Sequence, residues 1–335
     1  MSQNNTQAAK KPIKLKEFVI RSQSYIALVA LFIIGSITCI RNGRNMFLSV
    51  TNIMNLLRAV SETGILAIGM TMIILLGDID LSVGSVVGLV STGSAALMVY
   101  NGLGFVPTVV ICLLMGIVYG LFNGFVVTKM KIQAFVVTLA SMNIARGLAR
   151  LWSGGAGIPL TYGEGPGLAA PAFSFFSKRL GGIVPVPAII FLVLLCIFWF
   201  VMSKTRFGRQ IYATGGNPTA AHLSGIKVNR VKMLAFMFSG KRAAIAGMIH
   251  SAQISQGGPN EGQSYEMYAV AAVAIGGTSM AGGKGTMFGT LVGALIFGML
   301  DNIMGLNGIN SNIQLVVKGF LIILSVFAQA VRKED

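Results

Sequence analysis

Two carboxylates and a hydroxyl, Asp78, Asp80 and Ser82, stand close together in the stretch LLGDIDLSVGSVVGL, residues 75–89, with long apolar runs on either side. A carboxylate at membrane depth costs about 2.5–3.5 kcal/mol to insert, so it normally faces a bundle interior or a wet pathway. The alternative is a polar helix junction exposed at the cytoplasmic surface, where the acids cost little. A calcium loop is disfavoured, because the D-x-D start lacks the later ligand positions and the closing Glu.

The segment GGTSMAGGKGTMFG, residues 276–289, has the look of a phosphate loop but fails the register. Counting back from Lys284, the pattern G-x-x-x-x-G-K-[ST] needs Gly where Thr278 stands and Ser or Thr where Gly285 stands. Nothing here can be assigned to ATP hydrolysis. Gly84 with Gly88, Gly285 with Gly289 and Gly289 with Gly293 are small-xxx-small pairs suited to close helix packing. His222 and His250 fall too far apart to share a site, so no hydrolase constellation can be built. Lys241 and Arg242 interrupt an apolar span, reporting either a misplaced span boundary or a break that faces a polar cavity.

The elements that must carry these residues follow from composition. Of the 335 residues 54% are hydrophobic and 11% charged, against about 25% charged in a soluble domain. Mean hydropathy is +0.75. This is the profile of an all-α polytopic membrane protein. Apolar windows long enough to cross the hydrocarbon core predict ten spans, at 24–40, 61–77, 81–100, 105–128, 134–152, 183–202, 231–251, 267–281, 286–303 and 313–331. Residues 1–23 read as a cytoplasmic amino-terminal tail without the pattern of a signal peptide, 24–331 as the transmembrane domain, and 332–335 as a cytoplasmic carboxyl terminus. The cysteines Cys39, Cys112 and Cys196 lie far apart in or beside apolar runs and read as packing residues.

The net charge of +16 is informative only once it is sorted by side. With the amino terminus inside, sixteen Lys and Arg residues fall at cytoplasmic positions. Eight fall outside: Arg41, Arg44, Arg58, Arg146, Arg150, Lys178, Arg179 and Lys318. The positive-inside rule therefore favours both termini in the cytoplasm, and a nucleic-acid partner is not indicated. Two loops are long. Residues 153–182 are Gly- and Pro-rich, external and expected to be irregular. The cytoplasmic loop 203–230 contains GGNP, read as a turn, and then TAAHLSGI, read as a short helix begun by Pro218 and ended by Gly225.

Taken in order, GDIDLSVGS, the cytoplasmic TRFGRQIYATGGNPTAAHLSGIKV and the late AVAAVAIGGTSMAGGKGTMFGTLVGALIFGML closely resemble the membrane permease subunits of ribose, xylose and arabinose-type ABC sugar importers. The resemblance covers essentially the whole chain after Arg21. It implies a type II ABC-importer-like fold in which two permeases, identical or paralogous, form a path through membrane lipid. A cytoplasmic ATPase that uses ATP and Mg would bind one face, and an extracytoplasmic sugar-binding protein would deliver a monosaccharide, a pentose in the first instance. No cofactor is implied for this chain itself. Gly215, Gly216, Asn217, Pro218, Ala221, Ser224 and Gly225 would form the coupling helix seated in the ATPase. Asp78, Asp80 and Ser82 would brace a helix break or accept hydrogen bonds from sugar hydroxyls, with Asn143 a lesser candidate. The family pattern has apolar residues where Lys241 and Arg242 stand. Arg41, Arg44, Arg58, Lys178 and Arg179 are candidates for docking acidic lobes of the binding protein.

Three other readings compete. A stand-alone ion- or proton-coupled transporter would use Asp78 and Asp80 but leave the GGNP helix without a task. A permease of the same superfamily would carry nucleosides, branched-chain amino acids or a signalling sugar. A structural membrane scaffold needs neither the acids nor the coupling loop.

Overall fold

The computed structural model describes residues 15–41 and 43–334. Most of the amino-terminal tail expected at 1–23 lies outside them, as does Asp335 of the expected 332–335 terminus. Twelve α-helices are found among the described residues: α1 Leu15–Thr38, α2 Val50–Leu75, α3 Val83–Val99, α4 Phe105–Lys129, α5 Ala134–Ser153, α6 Val186–Lys204, α7 Arg206–Gly216, α8 Pro218–Leu223, α9 Val228–Ile254, α10 Tyr265–Ile275, α11 Met287–Leu306 and α12 Ser311–Glu334. Among the described residues, strands are confined to three antiparallel pairs of two-residue strands, one of which joins Ile158–Pro159 of the long loop to Gln256–Gly257.

Five of these helices, α2, α4, α5, α6 and α11, are long and apolar enough to cross a membrane. Shorter apolar helices occur at Gln23–Thr38, Val83–Val99, Tyr265–Ile275 and Ser311–Leu324. Every predicted span coincides with a helix, but several limits move. The first helix begins at Leu15 rather than residue 24, and the second begins at Val50 rather than 61, started by Ser49, whose hydroxyl accepts from the Asn52 amide. Its 26 residues extend for about 39 Å at 1.5 Å per residue. The eighth ends at Ile275, because Gly276 and Gly277 stop it six positions before the expected 281.

Buried and exposed residues sort as lipid requires. Along α4 the exposed face carries Val106, Val110, Leu114, Val118, Phe122 and Phe125, all apolar, while Cys112, Gly116, Gly120, Asn123 and Gly124 turn inward. Small residues rather than large apolar ones mark the protein-facing side, because lipid tails are as apolar as leucine and close backbone approach is what favours association. A Cβ at Gly116, Gly120 or Gly124 would meet the α9 backbone at Gly240, Phe236 or Met233. This ladder holds α4 and α9 backbone to backbone over three turns. The pairs singled out from the sequence serve other contacts: Gly289 and Gly293 let α11 lie on Gly276 and on Ala272 of α10, whereas Gly84 and Gly88 admit the loop after α9.

At the centre α3 is buried along nearly its whole length, held between α9, α5 and α4. The break between α2 and α3 sits at one end of this core, beside α7 and α8. The other end carries the pairing of Ile40–Arg41 with Arg44–Asn45 and the α11–α12 turn.

Candidate functional site

The chain leaves α2 through a Schellman turn, with Gly77 at φ +79° donating to Ile74 O at 2.9 Å and Asp78 N donating to Ile73 O at 3.1 Å. Glycine suits the left-handed position without a steric penalty. Residues 78–82 then run without helix until α3 opens at Val83. GDIDLS is therefore a built helix break, and each acid in it has a protein partner.

Asp80 is 1% exposed. Its Oδ1 accepts from Ser82 N at 3.0 Å and Ser82 Oγ at 2.6 Å, and its Oδ2 accepts from Ser239 Oγ of α9 at 3.0 Å. Asn123 of α4 donates from Nδ2 to Ser82 Oγ at 2.9 Å, and Thr138 of α5 donates to Ile79 O at 3.2 Å. Asp78 forms an ion pair with Lys232 of α9, 2.7 Å from Nζ to Oδ2. Helices α4, α5 and α9 thus all grip the break. Asp80 and Ser82 are joined directly, whereas Asp78, in the same break, turns to Lys232. Asn143 does not join them: it is on the exposed side of α5 and donates to Leu139 O at 3.2 Å.

The same break meets the unit formed by α7 and α8. Gly215 of α7 packs so closely on Leu75 O that a Cβ would collide with that carbonyl and with the Gly283 amide. Gly283 N donates to Leu75 O at 2.9 Å, and Tyr212 Oη donates to Gly285 O at 2.9 Å. The glycine-rich segment 276–286 is therefore a bearing between the end of α2 and the end of α7. GGNP is not a free turn: Gly215 and Gly216 close α7, and Asn217 caps α8 by accepting from Ala220 N at 3.0 Å. Pro218 opens α8, Ala221 is its buried anchor, Ser224 caps its end, and Gly225 at φ +82° turns the chain away. Leu223 projects outward at 82% exposure.

Lys241 and Arg242 lie in an unbroken α9, so a helix break does not account for them. Arg242 is 1% exposed, with its guanidinium 3.5 Å above the Phe198 ring centroid and Nη1 donating to Phe238 O at 3.2 Å. A cation over an aromatic face inside the protein gives Arg242 an attractive contact without exposing it to lipid.

A second polar cluster has no counterpart in the sequence reading. His250 Nδ1 donates to Glu62 Oε2 at 2.8 Å and its Nε2 to Glu261 Oε2 at 2.7 Å, while Tyr265 Oη donates to Glu62 at 3.0 Å. Arg146 donates to the carbonyls of Pro259 and Glu261, each at 2.6 Å. Together they clamp the loop after α9 onto α2 and α5. Arg146 and Lys318, counted as outer-face charges from the sequence, are spent inside: Lys318 pairs with Asp301 at 2.8 Å.

Residues 52–326 match a family described as the permease component of branched-chain amino acid transport systems. The ribose import permease of Haemophilus influenzae is 40% identical over 316 residues, covering 94% of each chain. That of Bacillus subtilis is 40% identical over 301 residues, covering 89% of this chain and 90% of its own. The xylose transport permease of Haemophilus influenzae is 35% identical over 374 aligned positions, covering 96% of this chain and 99% of its own. No solved structure matches the chain.

Proposed function

The chain belongs to the family of permease components of binding-protein-type transport systems, and from that premise we propose that it forms the transmembrane path of an ATP-driven importer for a monosaccharide, a pentose such as ribose or xylose. It is a multi-pass protein of the bacterial inner membrane. The proposed topology has ten spans with both termini in the cytoplasm and the 203–230 segment as the coupling domain. Two copies, or one copy and a paralogue, enclose the path. A cytoplasmic ATPase consumes ATP with Mg, and an extracytoplasmic binding protein brings the sugar.

The observation that carries this reading is the tie between α8 and the helix break. Helix α8 presents Leu223, an exposed apolar side chain at 82%, on a capped cytoplasmic turn that suits a groove in a partner. Its neighbour α7 rests on Leu75 O and Gly283. Closure of the ATPase would push α8, and α7 would carry that displacement to the end of α2 and to the 276–286 bearing. Such a switch shifts populations only as far as ATP and the loaded binding protein interact differently with the two states. Gly215, Gly216, Asn217, Pro218, Ala221, Ser224 and Gly225 are assigned to this coupling, and Asp78, Asp80 and Ser82 to bracing the break.

The commitments of both acids weigh against a stand-alone ion-coupled transporter. Asp78 is paired with Lys232 and Asp80 has both oxygens occupied, whereas a coupling carboxylate must be free to take and release an ion. Arg41 and Arg44 of the exposed hairpin are proposed to meet acidic lobes of the binding protein; their reversal to Glu should weaken docking in a salt-dependent way.

The deciding test is uptake of radiolabelled pentose by proteoliposomes containing this chain, with ATP, with and without the ATPase and binding protein. Uptake that needs all three components is expected. Uptake by this chain alone would overturn the reading.

A further inference from the structure

Between α2, α9, α10, α11 and α12, toward the end of the bundle away from α7 and α8, lies a cavity of about 610 Å³. Its size falls within the roughly 300–1,000 Å³ of small-molecule sites. Its lining combines three kinds of group. Tyr268 and Phe297 form an aromatic pair with centroids 5.2 Å apart. Lys318 bridges the pair from 4.7 Å and 5.6 Å while bonded to Asp301 Oδ2. Glu62 and His250 supply the clamped acid and imidazole described above.

The third kind is unmatched. Gln253 uses its Oε1 to accept from Arg58 Nε at 2.8 Å, yet its buried Nε2 has no hydrogen-bond partner among the described residues. Asp301 Oδ1 is likewise buried and without a partner, although its other oxygen holds Lys318. A buried polar atom left unpaired is costly, and here one donor and one acceptor are left so on residues that line the same cavity. Every full charge, by contrast, is met: Asp301 by Lys318, and Glu62 by His250. The missing ligand chemistry is therefore neutral, offers an acceptor and a donor at once, and presents a C–H face to aromatic rings. A polyhydroxylated ring has these properties, and an ion does not.

We infer that this cavity is a monosaccharide station within each permease, where sugar hydroxyls engage Gln253 Nε2 and Asp301 Oδ1 beside the Tyr268 and Phe297 pair. The inference rests on the importer reading and gives it a site distinct from the Asp78 and Asp80 break. The station is one of passage, and the Lys318–Asp301 pair covers its aromatic side.

The test uses the full complex of permease, ATPase and binding protein in proteoliposomes, reading radiolabelled D-ribose and D-xylose uptake together with ATP hydrolysis stimulated by the loaded binding protein. Gln253→Leu and Tyr268→Leu should keep the stimulated hydrolysis while sugar imported per ATP falls roughly tenfold, the scale of one lost polar or apolar contact in a recognition site. The ratio of D-ribose to D-xylose import should shift as well. Unchanged import per ATP in both variants would overturn the station and leave the importer reading intact. Joint loss of hydrolysis and import in both would assign these residues to assembly and overturn it too. A wild-type complex that imports no sugar would overturn the importer reading and the station with it.

Discussion

The helix break and the cavity are both polar places in an apolar protein, and they differ in where their polar groups are spent. At the break, Asp80 accepts three hydrogen bonds from two serines and Asp78 is paired to Lys232, so the carboxylates have protein partners in the break itself and on α9, and the one amide oxygen left buried without a partner there is Asn123 Oδ1. At the cavity, the charges are matched in pairs, but an amide nitrogen and a carboxylate oxygen stay without partners. Buried polar groups satisfied internally fix geometry. Those left open are where a ligand gains most by binding. On the proposed assignment, the acids most visible in the sequence belong to the scaffold and the recognition chemistry to residues of common type.

That contrast can be broken most forcefully at the bearing. Gly215→Val places a side chain against Leu75 O and the Gly283 amide, and uptake by the assembled transporter should be lost. Gly216→Ala, next in sequence and with open space at its Cβ position, should stay near wild type. Equal behaviour of the two in the uptake assay would remove the bearing from the mechanism.

Asp80→Ala deprives Ser82 and Ser239 of their acceptor and should cost about 2 kcal/mol, read as a lower thermal unfolding midpoint in detergent. Asp80→Asn keeps one acceptor oxygen and should lose less. Asp78→Ala should abolish uptake with normal membrane abundance and ATPase assembly. The exchanged pair Asp78→Lys with Lys232→Asp should recover more uptake than either single change; no recovery would mean that the pair matters for something other than mutual charge.

The smallest effect belongs to the cavity's support. Arg58→Met leaves Gln253 Oε1 without its 2.8 Å donor, and its loss of orientation should lower sugar import per ATP by about threefold, less than removal of the amide itself. An Arg58 variant as impaired as Gln253→Leu would place the guanidinium itself in contact with sugar.

Much of the fold was legible because lipid imposes a simple rule on composition, and the apolar windows located a helix for each predicted span. Their limits were harder to read. Helix α2 starts at Val50 because Ser49 caps it, although Arg58 and Glu62 delay the apolar run. Asp78 and Asp80 were conspicuous as acids among apolar residues, but Lys232, Ser239, Asn123 and Thr138 are ordinary letters on segments distant in the chain. The triad of Glu62, His250 and Glu261 left no mark of spacing, since its members are 188 and 11 residues apart. The ladder Gly116, Gly120 and Gly124 did carry a four-residue period, the strongest available signal of close helix approach. Arg242 was visible as an anomaly; its resting place over Phe198 required the third dimension.

The glycine ladder has a mechanical corollary. Contact of α4 with α9 at three successive turns makes the two helices a single stiff beam. That beam carries Lys232 and Ser239 at the break and His250 and Gln253 at the cavity, so its two ends cannot be displaced independently. Compliance must reside in parts not bolted to it, and the 276–286 segment, with Gly277, Gly282 and Gly283 at positive φ and no helix of its own, is built to yield. On the proposed coupling, a tilt applied through α7 would be geared by the beam into a change of aperture at the far end, with the glycine segment as the joint about which it turns.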